Sequence, residues 1–99
     1  MELTLKQTTT FQKWRAGLKD SKLKAILASR LDRLAFGLEG DTKRVAPNIY
    51  ELRIHYGAGI RVYFMRHGRT WIILLQGGDK SSQDRDIKAA IKMAANWSA

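Results

Sequence analysis

The run Trp71-Ile72-Ile73-Leu74-Leu75 is apolar at every position. Side chains along a strand alternate between the two faces of its sheet, so a strand of this kind is apolar on both. It belongs in the middle of a sheet whose two sides are each at least partly covered. The chain has 99 residues, the size of one domain, and can bury one compact core but not a second. Positions 1–99 therefore read as a single domain, and the rest of the chain must supply neighbours or cover for this strand.

The neighbours precede it. Ile49-Tyr50-Glu51-Leu52-Arg53-Ile54-His55-Tyr56 has period two, with Tyr50, Leu52, Ile54 and Tyr56 on one face and Glu51, Arg53 and His55 on the other. Gly57-Ala58-Gly59 is a turn, and Ile60-Arg61-Val62-Tyr63-Phe64-Met65-Arg66-His67 returns with Ile60, Val62 and Phe64 alternating against Arg61, Tyr63 and Met65. Gly68-Arg69 turns into the apolar run, which Gly77-Gly78 is expected to close. The period of two begins near Thr42.

Before that point the period is helical. Leu3 and Leu5 suit a short first strand. Thr8, Thr9 and Thr10 offer cap hydroxyls to a helix carrying Phe11, Trp14 and Leu18. Asp20 and Ser21 cap a second helix, whose stripe is Leu23, Ile26, Leu27, Leu31 and Leu34 and whose end is marked by Gly37 and Gly40. At the far end Ser81-x-x-Asp84 resembles a capping box, followed by Ile87, Ala90, Ile91 and Ala94 on one helical face. The expected order is β-α-α-β-β-β-(β)-α, an α+β fold. It consists of a small twisted antiparallel sheet with an N-terminal α-hairpin packed on one face and a C-terminal helix. With the helices segregated to one face, the other face of the sheet is free for function.

Charge limits what that function is. Eighteen Lys and Arg face nine Asp and Glu, for a net charge of +9. Nucleic acid is the first partner to consider and an acidic protein the next. There is no cysteine, so disulfides and thiolate metal sites are out. No apolar run approaches a membrane span, and Met1-Glu2-Leu3-Thr4-Leu5 lacks the basic start and apolar core of a signal peptide. A cytoplasmic protein without a membrane partner is expected.

If the hairpin strands pair across Gly57-Ala58-Gly59, Arg53 and His55 share a face with Arg61 and Tyr63, in a register the sequence leaves open. Arginine forks bind phosphate and stabilise charge developing on it, and tyrosine stacks on a splayed base. The plainer alternative is a solvated face with Arg–Glu pairing through Glu51. As a surface residue Arg61 is expected to add little to stability. His55 can serve as a general base or simply be solvated, and His55 and His67 alone make no metal site. The glycines of Gly77-Gly78-Asp79-Lys80-Ser81-Ser82-Gln83 permit close approach of a ligand to the backbone. Asp79, Asp84 and Asp86 oppose an anion there, and a plain strand-to-helix turn fits as well.

Several blocks together resemble a known family. Glu51-Leu52-Arg53-Ile54, Tyr56 to Phe64, and Leu74-Leu75-Gln76-Gly77-Gly78-Asp79-Lys80-Ser81-Ser82-Gln83 are similar to signature blocks of the HigB-like, addiction-module killer branch of the RelE/ParE superfamily. Phe11-x-x-Trp14, Leu18-Lys19-Asp20, Arg30-Leu31-x-Arg33-Leu34 and Gly40-Asp41-x-Lys43 fit in the same order, so the likeness spans roughly positions 8 to 93. One departure is Ala58, where the family often has proline. The resemblance implies the same fold and a toxin that enters the ribosomal A site and cuts mRNA, with a 2′-hydroxyl attacking the adjacent phosphate. Carried over by position, Arg53, Arg61 and Lys80 would be catalytic, and His55, Tyr63, Lys43 and Arg44 would bind RNA. The blocks contain no tyrosine after the last strand, where some RelE-type enzymes place one, so no acid or base is assigned. No metal or small-molecule cofactor is implied. The expected partners are mRNA on the ribosome and a cognate antitoxin of helix-turn-helix type. Two alternatives stay open: a ParE-like inhibitor of DNA gyrase that performs no chemistry, and a plain nucleic-acid-binding module.

Overall fold

A computed structural model describes residues 2–97. Strand β1 (Thr4–Gln7) leads to helices α1 (Thr9–Ala16) and α2 (Ser21–Ala35). Strands β2 (Thr42–Ala46), β3 (Ile49–Ile54), β4 (Ile60–His67) and β5 (Trp71–Asp79) follow, and a 3-10 turn (Lys80–Ser82) runs into α3 (Gln83–Asn96).

The helices begin where hydroxyls and carboxylates satisfy their first amides. The Phe11 amide donates to Thr8 Oγ1 at 3.0 Å, and the Thr8 hydroxyl donates to the Leu75 carbonyl at 2.7 Å, so one residue starts α1 and ties it to β5. Asp20 Oδ1 accepts from the amides of Lys22 (2.9 Å) and Leu23 (3.1 Å) at the start of α2. Helix α2 ends in a Schellman motif: Gly37 takes φ 82°, and the Leu38 and Gly37 amides donate back to the Arg33 and Leu34 carbonyls.

The sheet order is β1-β5-β4-β3-β2. Three pairings are antiparallel as expected, but β1 joins the edge of β5 in parallel. The chain crosses the whole sheet through the α-hairpin between β1 and β2, which is what such a mixed arrangement requires. Strand β5 lies between β1 and β4, inside the sheet as its all-apolar run demands. It continues through Gly77 and Gly78, its expected close, to Asp79.

Both faces are covered, by different helices. On one, Phe11, Leu23, Leu27, Leu31 and Leu34 pack on Leu52, Ile54, Ile60, Val62, Phe64, Ile72 and Leu74. On the other, Ala90 with half-buried Ile87, Met93 and Ala94 packs on Ile49, Tyr63, Met65, Ile73 and Leu75. The expected segregation of all helices to one face does not hold. Ile73, Leu75 and Met65 make a second apolar surface, and burying each such side chain gains about 1.5–3 kcal/mol, which only α3 is placed to supply. A bulge, where Tyr63 pairs with Gln76 but Phe64 with Leu74, keeps both Leu75 and Gln76 on the α3 face.

Candidate functional site

Helix α3 begins at Gln83, whose side chain reaches Glu51, and past that contact the hairpin strands run on to the 57–59 turn. The register of the hairpin sets Arg53 opposite Arg61 and Glu51 opposite Tyr63. Glu51 and Tyr63 are buried, while Arg53 and Arg61 retain partial exposure. Beyond them lies a cleft of about 350 Å³ lined by His55, Tyr56, Arg61 and Lys80 along with the 57–59 turn. Its walls are fixed by backbone: the Lys80 amide donates to the Ala58 carbonyl at 3.4 Å, and Arg61 Nη1 donates to the Gly59 carbonyl at 3.2 Å. Gly59 takes φ 77°, which brings the turn round to that arginine.

Arg61 stands on a buried polar floor. Its Nε lies 3.6 Å from Glu51 Oε1, with side chains 13% and 1% exposed. Gln83 Nε2 donates to Glu51 Oε2 at 2.8 Å, which links the start of α3 to β3. Asp86, also buried, accepts from Gln76 Nε2 at 3.0 Å and from the Ser82 hydroxyl at 2.5 Å. Gly78 makes this possible, since a Cβ there would collide with the Asp86 carboxylate, and Gly77 on the opposite face leaves its space to the Trp14 ring. The two glycines admit the protein's own side chains rather than a ligand. Asp79 likewise engages the following turn, accepting from the Ser81 amide (2.9 Å) and hydroxyl (2.5 Å), so that a carboxylate already occupies these donors. Those bonds, the hydroxyl's first, hold the Asp79 carboxyl below its usual range.

A second cluster flanks the cleft. Asp41 Oδ1 accepts from Arg53 Nε (3.2 Å) and Nη2 (2.8 Å), and its Oδ2 lies 2.5 Å from His55 Nε2. The hydrogen bonds from His55 and then Arg53 hold the Asp41 carboxyl below its ordinary value. The Arg53 amide also donates to the Asp41 carbonyl at 2.9 Å, pinning the start of β2 to β3. Nearby, the Tyr56 hydroxyl donates to Asp20 Oδ2 at 3.0 Å, and that bond raises the phenol above its normal range.

The sequence candidates thus separate. His55, Arg61 and Lys80 share the cleft. Arg53 is beside it, with its charge engaged by Asp41. Exposed Lys43 pairs with Glu51 and so points to the same side of the sheet, whereas exposed Arg44 pairs with Tyr50 and points to the α1–α2 side. Neither lines the cleft. Tyr63 needs correction as a base-stacking surface residue: its ring is fully buried under α3, and burial together with the Glu51 carboxylate pushes its phenol far above the usual range. Arg61 is likewise no simple surface arginine. Asp41 and Asp86 were missed. Asp41 meets Arg53 and His55 across 12 and 14 residues and Asp86 meets Gln76 across 10, separations beyond any local period, although the Ser82 bond of Asp86 spans only four. Among the described residues no three His, Asp or Glu side chains gather as a metal site, and no helix is long and apolar enough to cross a membrane.

Set beside solved structures, this architecture is RelE-like. The free E. coli toxin RelE, a double-arginine mutant, superposes with TM-score 0.75 over 93% of this chain and 97% of that one, at 16% identity. The RelBE2 toxin–antitoxin complex of Mycobacterium tuberculosis gives TM-score 0.63 over 81% of this chain and 100% of the matched chain, at 17% identity. In sequence the chain belongs to the phage-derived Gp49-like protein family (DUF891), whose model matches residues 11–97. An uncharacterized protein of Haemophilus influenzae is 47% identical over 94 residues, 95% of each chain.

Proposed function

We propose that this protein is the toxin of a type II toxin–antitoxin pair, a single RelE/ParE-like domain of HigB-like type that cuts mRNA on the ribosome. The observation that carries the reading is the cleft itself. Arg61, His55 and Lys80 line one cleft beside the 57–59 turn of a RelE-like sheet on a chain of net charge +9. A polyanion is drawn to such a body over distance, and planar guanidinium and ammonium groups then bind and orient its phosphates. In a strand of RNA held there, the 2′-hydroxyl attacks the adjacent phosphorus, and Arg61 and Lys80 offset the charge that builds on the phosphoryl oxygens. Lys43, on the same side of the sheet, extends the basic track. The matched RelBE2 structure is a toxin–antitoxin complex, and it supports a cognate antitoxin here, which we take to be a helix-turn-helix protein. The site of action would be the cytoplasm, where translating ribosomes are.

The test is 5′-end mapping of cellular mRNA after brief induction, beside Lys80→Ala, whose exposed side chain leaves folding untouched. Cuts in phase with the reading frame that fade in the variant are expected. Growth arrest with intact messages would overturn the endonuclease reading in favour of a non-enzymatic target such as gyrase.

A further inference from the structure

We propose that His55 and Asp41 form a base dyad, with His55 Nδ1 taking the proton of the attacking 2′-hydroxyl and Asp41 positioning the ring. The proposal rests on the endonuclease reading above.

The geometry sets the roles. An ionised carboxylate only accepts hydrogen bonds, so the 2.5 Å contact from Asp41 Oδ2 places the ring proton on Nε2. In the neutral imidazole that leaves Nδ1 with its lone pair, and Nδ1 takes no part in the bond to Asp41. The carboxylate itself is fixed, because Arg53 holds its other oxygen through two nitrogens and the backbone of Arg53 bonds that of Asp41. The imidazole is therefore oriented from behind while its side chain stays 76% exposed on the wall of the cleft that also presents Arg61 and Lys80. A carboxylate that orients an imidazole and stabilises the imidazolium formed on proton transfer is a recurrent catalytic arrangement. The depressed Asp41 carboxyl agrees with a group kept ionised for that task. It also supplies what the sequence blocks lacked, a base.

The step balances without further reactants. His55 Nδ1 accepts the 2′-hydroxyl proton as the O2′–P bond forms. The P–O5′ bond breaks, and its electron pair leaves on O5′, which takes a proton from solvent at the open mouth of the cleft. The imidazolium later returns its proton to solvent. The products are a 2′,3′-cyclic phosphate and a 5′-hydroxyl end. The titratable and charged groups around the ring are Asp41 just ahead of β2, Arg53 of β3 on the same carboxylate, and Tyr56, Arg61 of β4 and Lys80 of the 3-10 turn, which line the same cleft.

Two measurements decide it. The first is the 15N spectrum of the His55 ring in the free protein, which reads the tautomer without RNA. A proton on Nε2 in the wild type, moved to Nδ1 in Asp41→Asn, is expected. The second is single-turnover cleavage on programmed ribosomes across pH. His55→Gln should lose roughly 10²- to 10⁴-fold in rate with ribosome affinity unchanged, and should lack the acid limb of the wild-type profile. Asp41→Asn should fall by a similar factor, since it reverses the tautomer. Cleavage by His55→Gln within about threefold of an active wild type, or a wild-type ring protonated on Nδ1, would overturn the dyad and leave the endonuclease reading standing. A wild type that cuts nothing on ribosomes overturns that reading, and the base with it.

Discussion

Arg61 shows how a residue's position revises its expected cost. On a solvated strand face its removal would matter little to folding. Here it caps the buried Glu51 carboxylate, whose remaining partner is Gln83. Taking away one member of a buried pair leaves the other's desolvation uncompensated. Arg61→Ala should therefore lose about 1–3 kcal/mol in urea unfolding, and Arg61→Ala with Glu51→Gln should recover most of it. Equal stability of Arg61→Ala and wild type would show that the pair carries no such weight. Loss of the proposed activity in Arg61→Ala alone is accordingly no proof of a catalytic role, and Lys80, exposed at the cleft, is the cleaner probe.

Among the elements, β5 is the one on which the others converge. Its apolar half feeds both cores, and its Gly77-Gly78 half receives α1 through Trp14 on one face and α3 through Asp86 on the other. A methyl group at either glycine would overlap the Trp14 ring or the Asp86 carboxylate, so that something must shift. Overpacking of this kind costs about 1–3 kcal/mol, which in a domain of this size lowers Tm by roughly 4–8 °C per kcal/mol. Gly77→Ala and Gly78→Ala should both show that loss by calorimetry. Gly77→Ala made in a Trp14→Leu background should lose less than in the wild type. If it loses the same, the glycine serves backbone conformation and not the ring.

For the molecule as a whole, three aspartates with depressed pKa values sit at joints between elements: Asp20 at the start of α2, Asp41 at β2, and Asp79 before α3. For Asp20 the amide of Leu23 is the largest cause. A carboxyl whose folded pKa is below its unfolded value contributes stability that is fully present above the unfolded value and lost as pH falls through the folded one. The unfolded value is near 3.8, so Tm should hold steady down to about pH 4 and fall below it. Neutralising the nine acidic side chains that offset eighteen basic ones adds self-repulsion in the same direction. A Tm that stays constant to pH 2 would show that none of the three joints depends on its charge.

Local chemistry was enough to read much of this protein from its sequence. The caps Thr8 and Asp20, the stripe of α2, the glycine at its end and the alternation of β3 and β4 depend on neighbours a few residues away. They stand in the structure where the pattern puts them. The all-apolar run announced an interior strand. Tertiary structure decided the rest. Alternation says that Tyr63 and Arg61 share a face, but only the placement of α3 decides that the first is buried and the second open to the cleft. The parallel pairing of β1, the filling of Gly77 and Gly78 by distant side chains, and the meeting of Asp41 with Arg53 and His55 are contacts between segments that no short-range period encodes. Periodicity fixes which way a side chain points. What it meets there is set by the packing of whole elements, and the candidate site belongs to that second kind of fact.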